Sequence, residues 1–215
     1  HQQILDRFVK EKIDVLVGTQ MVAKGLDFPN VTLVGVLAAD LSLNLDDFRA
    51  NERTFDLVTQ VCGRAGRGER AGRAVLQTYQ PESEVLRQAK EQDFPAFYGE
   101  EIVLRRALYY PPYCDILSVL LTGPNEAALS AYAEKLANGL RMDFLKLAGC
   151  TTEVLGPGPA TLSKINNKYR WRILVKCRAD SEIRAVLRQM LEQHDKRKES
   201  KWISVLVEAN PNSMM

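Results

Sequence analysis

The 215-residue sequence contains no long apolar run and very little histidine. No apolar stretch approaches the ~18 residues of a membrane-spanning helix, and the first residues lack the charged-then-apolar order of a signal peptide. We therefore expect a soluble, cytoplasmic protein with no membrane partner. Hydrophobic residues make up 46% and charged residues 26% of the sequence. These proportions exclude a disordered tail or an acidic low-complexity segment.

Cysteine is also sparse, and its spacing argues against a metal site. The four cysteines are Cys62, Cys114, Cys150 and Cys177. No CxxC pair occurs, and the only histidines are His1 and His194, so a zinc ion has almost no candidate ligands. We predict free, mostly buried thiols, as is usual in a reducing cytoplasm.

Charge is distributed unevenly along the chain, although the net charge is only +2. Residues 161–202 contain 12 Lys and Arg against 5 Asp and Glu, whereas the remainder contains 17 against 22. A basic block on a mildly acidic body is typical of a surface that binds a polyanion. The alternative is an ordinary solvated helix face.

The first 80 residues alternate between helix-like and strand-like stretches. The periodicity of apolar residues predicts helices at residues 2–12 and 51–64. The apolar runs that predict buried strands are residues 14–18, 31–37 and 74–79. Strands and helices that alternate in this way indicate an α/β fold in which helices cover a parallel sheet.

The YYPPY stretch, residues 109–113, marks the predicted domain boundary. Helices are expected before it at residues 83–92 and 95–108, and its paired prolines cannot continue a helix. We therefore predict a first domain over residues 1–108 and a second over residues 109–215.

The second domain has a different order of elements. Its predicted strands are residues 115–122, 153–155, 169–177 and 202–208, and its predicted helices are residues 126–147 and 181–193. A turn is expected at GPGP, residues 156–159. The order β-α-β-β-α-β is typical of a ferredoxin-like α+β domain.

A first candidate ligand-binding loop, GTQMVAKGLDFP, follows the first predicted strand at residues 18–29. Thr19 and Gln20 would stand at the carboxyl end of that strand, where open α/β sheets bind ligands. Gly25 permits a close approach of the backbone, and Asp27 is able to accept a hydrogen bond from a ribose. The alternative is a turn that contains a satisfied aspartate.

A second cluster, QVCGRAGR, occupies residues 60–67. Arg64 and Arg67 are three residues apart at a predicted helix end, so they share a face. Such a pair suits bidentate binding of a phosphate and stabilisation of charge during phosphoryl transfer. The alternative is a pair of surface arginines.

These two clusters resemble motifs V and VI in the second RecA-like lobe of superfamily-two helicases. Further stretches resemble the PriA (primosomal protein N′) family of bacterial replication-restart DNA helicases: VAKGLDFPNVTLV, DDFRANERTFDLVTQ, LRRALYYPPY, GPGPA and KYRWRILVK. The resemblance implies part of a RecA-like helicase lobe followed by a C-terminal domain. It also implies an ATP-dependent 3′-to-5′ DNA helicase that restarts stalled forks and helps to assemble the primosome.

The resemblance also implies residue roles. Arg67 would be the arginine finger at the γ-phosphate, assisted by Arg64, while Gln60 couples ATP to DNA. Gly25 and Asp27 would line the nucleotide cleft. The residues expected to contact DNA in this part of the chain are Thr19 and Gln20.

The sequence departs from that family's pattern in its catalytic parts. It contains no GxxxxGK[ST] loop and no Walker B box, so ATP and Mg²⁺ would be shared with a first lobe. We therefore expect the chain not to hydrolyse ATP alone. The family's zinc sites are cysteine-rich, so zinc is expected in a full-length member but not on this chain.

A basic strand is predicted in the second domain, where alternation separates cations from aromatics. Lys168, Arg170 and Arg172 share one face, which suits contacts with DNA phosphates. Tyr169 and Trp171 share the other face. Trp171 either stacks on a base or packs in the core.

The resemblance implies several partners. These are single-stranded and forked DNA, single-stranded DNA-binding protein, primosome proteins and the helicase loader. Arg184, on a predicted helix beside apolar residues, is a candidate contact for an acidic peptide tail, although a solvated helix face is the alternative. Two rival interpretations are a non-catalytic DNA- and protein-binding module, and an RNA-helicase lobe fused to a ribosomal-type domain.

Overall fold

The computed structural model describes residues 2–19, 31–63, 71–147, 149 and 151–213. The chain divides into two compact units, residues 1–101 and 102–215. The predicted domain boundary at residue 109 stays a prediction. Within the described part of the chain, no helix is long and apolar enough to cross a membrane.

The first unit combines helices with a small sheet. Its elements are helix α1 (Gln2–Lys10), strand β1 (Leu33–Val36), a 3-10 helix (Ala39–Ser42), helix α2 (Ala50–Cys62), strand β2 (Arg73–Leu76), helix α3 (Glu84–Glu91) and the beginning of helix α4 (Phe94–Ala107). Strands β1 and β2 pair in parallel. The predicted parallel sheet is therefore confirmed for these two strands.

The core of the first unit lies between helices α2, α3 and α4. Phe55 and Val58 are buried and share a face of α2, because residues three apart meet on a helix. The Phe55 ring stacks on Phe97 of α4 with 4.4 Å between ring centroids. Leu86 and Ala89 of α3 and Ala39 of the 3-10 helix belong to the same cluster.

The predicted buried strand at residues 14–18 is wrong. These residues have no strand pairing, and Val15 and Val17 are 71% and 86% exposed. A strand forms only where a neighbour accepts and donates its backbone hydrogen bonds, and among the described residues the sheet of the first unit contains only β1 and β2. The apolar run has neither a pairing partner nor a cover among the described residues.

The second unit is a four-stranded antiparallel sheet with two helices. Its elements are strand β3 (Asp115–Gly123), helix α5 (Glu126–Leu145), strand β4 (Glu153–Ile165), strand β5 (Lys168–Cys177), helix α6 (Ser181–Asp195), a 3-10 helix (Lys198–Lys201) and strand β6 (Ser204–Ala209). The strand order is β4-β5-β3-β6, and all pairs are antiparallel. The predicted ferredoxin-like order is confirmed.

One face of this sheet packs on the two helices. Leu117, Val119 and Leu121 of β3 alternate toward the helices and are buried. Each helix begins at a side-chain cap. The Asn125 side chain accepts a hydrogen bond from the Ala128 amide, and the Asp180 side chain accepts one from the Ile183 amide.

Two predicted details of the second unit are wrong. The GPGP stretch is not a turn, because β4 continues through it to Ile165 with two register shifts. The turn instead lies at Asn166–Asn167, between β4 and β5. Trp202 precedes β6, which begins at Ser204.

Candidate nucleic-acid interface

Helix α2 carries the candidate residue Gln60, and its first turn is anchored by the buried carboxylate of Asp47. The Asp47 side chain is fully buried and pairs with Arg53 at 2.9 Å. It also accepts a hydrogen bond from the Arg49 amide at 3.0 Å. The DDFRANER stretch therefore positions helix α2, and Gln60 is exposed near the end of that helix.

A second set of contacts ties α2 to its neighbours. The buried Thr54 hydroxyl lies 2.7 Å from the Ser42 hydroxyl and 2.8 Å from the Ala50 carbonyl oxygen. The Asn51 amide donates to the Glu101 carboxylate at 3.1 Å. The helix is thus held to the 3-10 helix on one side and to α4 on the other.

Most of the predicted nucleotide-site residues lie outside the described residues. These are Gly25, Asp27, Arg64 and Arg67, and the predicted DNA contact Gln20 also lies outside the described residues. Thr19 is described and is exposed. The roles of these residues therefore stay predictions.

Cys62 ends helix α2 directly before the arginine cluster. Its side chain is half-buried and packs against the core of the first unit. Burial raises the pKa of the Cys62 thiol, so the reactive thiolate is disfavoured. These observations agree with a packing role.

The basic strand is β5, and its cations lie on the sheet face opposite the helices. Tyr169 and Trp171 pack against the helix-covered core, so Lys168, Arg170 and Arg172 point to the other face. The predicted division into a cationic and an aromatic face therefore agrees with the structure.

The surroundings of Trp171 favour its packing alternative. Its side chain is half-buried against the core of the second unit. A base stacks on an aromatic ring only where the ring face is open. Packing accounts for this tryptophan, and its predicted contact with DNA stays untested.

The sequence interpretation missed most of the hairpin formed by β4 and β5. Lys164 lies on the ring of Tyr169, with its Nζ atom 4.5 Å from the ring centroid. The Arg170 guanidinium donates to the carbonyl oxygen of Leu162 at 3.2 Å. The available signal was the Asn166–Asn167 pair, because Asn tolerates the left-handed backbone of a two-residue hairpin turn.

The hairpin is unusually free of negative charge. Between Glu153 and Asp180 the sequence contains six Lys and Arg and no Asp or Glu. Lys176 is a structural cation, since it is 7% exposed and donates to the Leu108 carbonyl oxygen at 3.0 Å. It also pairs with Glu153 at 3.3 Å. The other cations remain more exposed and suit a polyanion.

Arg184 lies in a surface cleft at the beginning of α6. The cleft has a volume of about 470 Å³ and is lined by Ala179, Asp180, Ser181, Arg184, Ala185 and Arg188. Two of these six residues are arginines, and the small side chains leave room between them. Such a cleft suits a carboxylate ligand.

The same end of the sheet holds a strongly bonded carboxylate. Hydrogen bonds from the Asn210 side chain and the Ala179 amide hold the pKa of Asp115 below its usual range. The positive charges of Arg184 and Arg178 lower that pKa further.

Comparison with known proteins gives two family matches. Residues 106–212 match the family described as Primosomal protein N C-terminal domain. Residues 1–69 match the family described as Helicase conserved C-terminal domain.

Several individual proteins are similar over most of the chain. Replication restart protein PriA of Bacillus subtilis (strain 168) is 40% identical over 215 residues, which is 100% of this chain and 26% of that protein. The protein of the same name from Synechocystis is 43% identical over 176 residues, which is 82% of this chain and 21% of that protein. The protein of the same name from Chlamydia muridarum is 33% identical over 211 residues, which is 98% of this chain and 27% of that protein. The chain thus spans about a quarter of the length of these relatives.

Proposed function

The chain belongs to the PriA family of replication restart proteins, and we propose that it is part of an ATP-dependent 3′-to-5′ DNA helicase that restarts stalled forks. The match to a helicase C-terminal domain supports the helicase assignment and the RecA-like first lobe. The ferredoxin-like second unit corresponds to the family's C-terminal domain. Its role in this proposal is to hold DNA and partner proteins.

The observation that carries the DNA contact is the arrangement of charge on strand β5. Lys168, Arg170 and Arg172 occupy one sheet face, and helices cover the other. Cations along a strand are able to follow the phosphates of a DNA backbone. Each phosphate contact releases counterions, so the affinity falls as the salt concentration rises.

ATP turnover is assigned to the complete protein. In this proposal Arg67 and Arg64 stabilise the γ-phosphate, Gly25 and Asp27 line the cleft, and Gln60 couples the cleft to DNA. Bound Mg²⁺ would neutralise the phosphate charge during hydrolysis. We expect the 215-residue chain not to turn over ATP, because its sequence contains no GxxxxGK[ST] phosphate loop.

The DNA contact is tested by anisotropy of a labelled single-stranded oligonucleotide, titrated with the chain at several salt concentrations. Changing Lys168, Arg170 and Arg172 together to Ala should weaken binding and reduce the salt slope by about two to three. A matched control changes Lys135 and Lys146 of the second unit to Ala, which removes charge from helix α5 and its end. Equal binding by wild type and the triple variant would contradict the proposal.

We also propose a protein-binding role for the cleft at Arg184. Its two arginines suit an acidic, apolar peptide tail, such as that expected on single-stranded DNA-binding protein. The Arg184→Glu variant should bind a labelled acidic peptide at least tenfold more weakly, because repulsion replaces attraction. Arg170→Glu is the control, since Arg170 does not line the cleft. Equal loss in both variants would indicate nonspecific charge attraction. Contacts with other primosome proteins and the helicase loader are part of the same proposal.

A further inference from the structure

The tip of the β4–β5 hairpin, residues 161–168, projects beyond the rest of the sheet. Strand β5 pairs with β3 only as far as Tyr169, which lies opposite Gly123. Beyond that pair the two hairpin strands bond only to each other. All eight residues of the tip are exposed.

Two large aliphatic side chains stand on this tip. Leu162 is 57% exposed and Ile165 is 41% exposed. The remaining tip residues are polar or basic, and Lys164 and Lys168 flank Ile165. The tip thus presents two exposed aliphatic side chains three residues apart, close to positive charge.

The tip is held in a defined shape. Asn166 and Asn167 have φ angles of 50° and 59°, as a two-residue type I′ turn requires. Pro159 of β4 faces Trp171 of β5, and Lys164 faces Tyr169. Four residues of β4 lie between these two pairs but only one residue of β5, so β4 forms a bulge of three extra residues.

Two side-chain contacts brace this bulge. Arg170 donates to the Leu162 carbonyl oxygen at 3.2 Å. The Lys164 ammonium is 3.3 Å from the Tyr169 hydroxyl and lies on its ring. Leu162 and Ile165 are therefore presented on a braced support and not on a free loop.

We propose that Leu162 and Ile165 form an apolar wedge that packs on the terminal base pair of duplex DNA at a junction with a single strand. This inference rests on the proposed DNA contact of strand β5 and specifies the structure that it recognises. Proteins that distort DNA insert aliphatic side chains against base steps and grip the flanking phosphates with cations. The hairpin tip has both components.

The junction is the favoured target for a physical reason. Inserting a wedge inside a duplex requires unstacking of two base pairs, which opposes binding. The terminal base pair already has one open face, so aliphatic groups cover it without that penalty. Lys168 would then lie beside the phosphates of the duplex end, and Arg170 and Arg172 on the same sheet face would follow the single strand.

The test compares two DNA ligands of equal length. One is a labelled duplex with a single-stranded 3′ arm, and the other is a labelled single strand. The chain should bind the junction about tenfold more tightly, since ~60 Å² of covered apolar surface corresponds to about that ratio. Leu162→Ser with Ile165→Ser should remove this preference and leave binding to the single strand unchanged.

A second measurement reports insertion directly. A 2-aminopurine base in the terminal pair should change its fluorescence when wild-type chain binds, and should not do so with the double Ser variant. Met142→Ser with Leu145→Ser is the matched control, because these residues of helix α5 are 60% and 78% exposed. The control variant should behave as wild type.

The outcomes separate the wedge from the DNA contact on which it rests. The wedge is overturned if the double Ser variant keeps the junction preference. It is also overturned if this variant loses affinity for both DNA ligands by the same factor relative to wild type. Absence of salt-sensitive binding to either DNA by the wild-type chain would overturn the DNA contact itself, and the wedge with it. Variants that melt at the same temperature as wild type are folded, so their DNA binding can be compared with that of wild type.

Discussion

The hydroxyl group of Tyr132 lies 2.6 Å from Nδ1 of His194 in the interior of the second unit. Both residues are 4% exposed, and they join helix α5 to helix α6. Burial raises the pKa of the Tyr132 phenol, so its proton is retained and is able to be donated to the imidazole. Helix α5 and helix α6 are thereby connected by a buried polar contact.

This bond predicts a loss of stability in Tyr132→Phe. Removal of the hydroxyl leaves a buried imidazole nitrogen without its partner, which costs about 1–3 kcal/mol. Urea unfolding followed by tryptophan fluorescence measures the effect in the second unit alone, because both tryptophans, Trp171 and Trp202, belong to it. Tyr113→Phe is a control in the same unit. A variant as stable as wild type would mean that water replaces the bond.

The carboxylate of Asp115 gives a prediction about acid stability. It accepts hydrogen bonds from the Asn210 amide at 2.7 Å and from the Ala179 amide at 3.0 Å, which connects the beginning of β3 to the end of β6 and to the segment before α6. These bonds lower the pKa of Asp115 in the folded state. The stabilisation is therefore present above the unfolded pKa of about 4 and is lost as the pH falls toward the lower folded pKa.

Asp115→Asn should destabilise the second unit by about 1 kcal/mol near neutral pH, because an amide places a donor against one of the two donors. The difference from wild type should shrink as the pH falls below about 4, because the carboxylate is then protonated in the unfolded state before it is protonated in the folded state. Unfolding measured at several pH values tests both statements. Asp143→Asn is the control, since Asp143 pairs with Lys146 at the surface. A difference that does not change with pH would contradict the assigned role of the charge.

The sequence predicted most of the fold wherever apolar residues had a pairing partner. Strand β3 and the apolar part of β5 are short runs rich in Val, Ile and Leu, and both pair with neighbouring strands in the sheet that the helices α5 and α6 cover. The run at residues 14–18 has the same composition but no partner strand among the described residues. Strand pairing is a long-range property, and composition alone does not reveal it.

In the β4–β5 hairpin the sequence predicted a turn where the structure has a strand. Two prolines and two glycines at residues 156–159 are typical of a turn, yet β4 continues past them because its edge position and register shifts accommodate prolines without a ladder bond. The reversal occurs at Asn166–Asn167, which was not recognised as a turn. The exposed tip with Leu162 and Ile165 was therefore missed, although the cations of β5 were placed on the correct face.

The ion pair of Asp47 and Arg53 predicts a strong effect in the first unit. The Asp47 side chain is fully buried, whereas that of Arg53 is 29% exposed. Removal of the guanidinium takes a countercharge away from a buried carboxylate, so Arg53→Ala should cost about 2–3 kcal/mol. Hydrogen exchange of helix α2 peptides measures this loss locally.

Arg87 provides the matched control for that experiment. It pairs with Glu84 and Glu91 on helix α3, but all three side chains are at least half exposed. Exposed pairs contribute at most about 1 kcal/mol, so Arg87→Ala should leave exchange of helix α2 unchanged. Equal exchange in the Arg53 and Arg87 variants would mean that the buried carboxylate finds another partner.

Arg67 gives the prediction on which the helicase assignment depends most directly. If this residue stabilises charge on the γ-phosphate, Arg67→Ala in the complete protein should lower DNA-stimulated ATP turnover by about 10³-fold or more. Binding of single-stranded DNA should remain nearly unchanged, because the cations of β5 lie in the other unit. Arg73→Ala is the control, since Arg73 is an exposed arginine at the beginning of β2. Normal turnover in the Arg67 variant would refute the role, whereas loss of both turnover and DNA binding would indicate a folding defect. Loss of turnover alone therefore distinguishes a helicase subdomain from a module that only binds DNA.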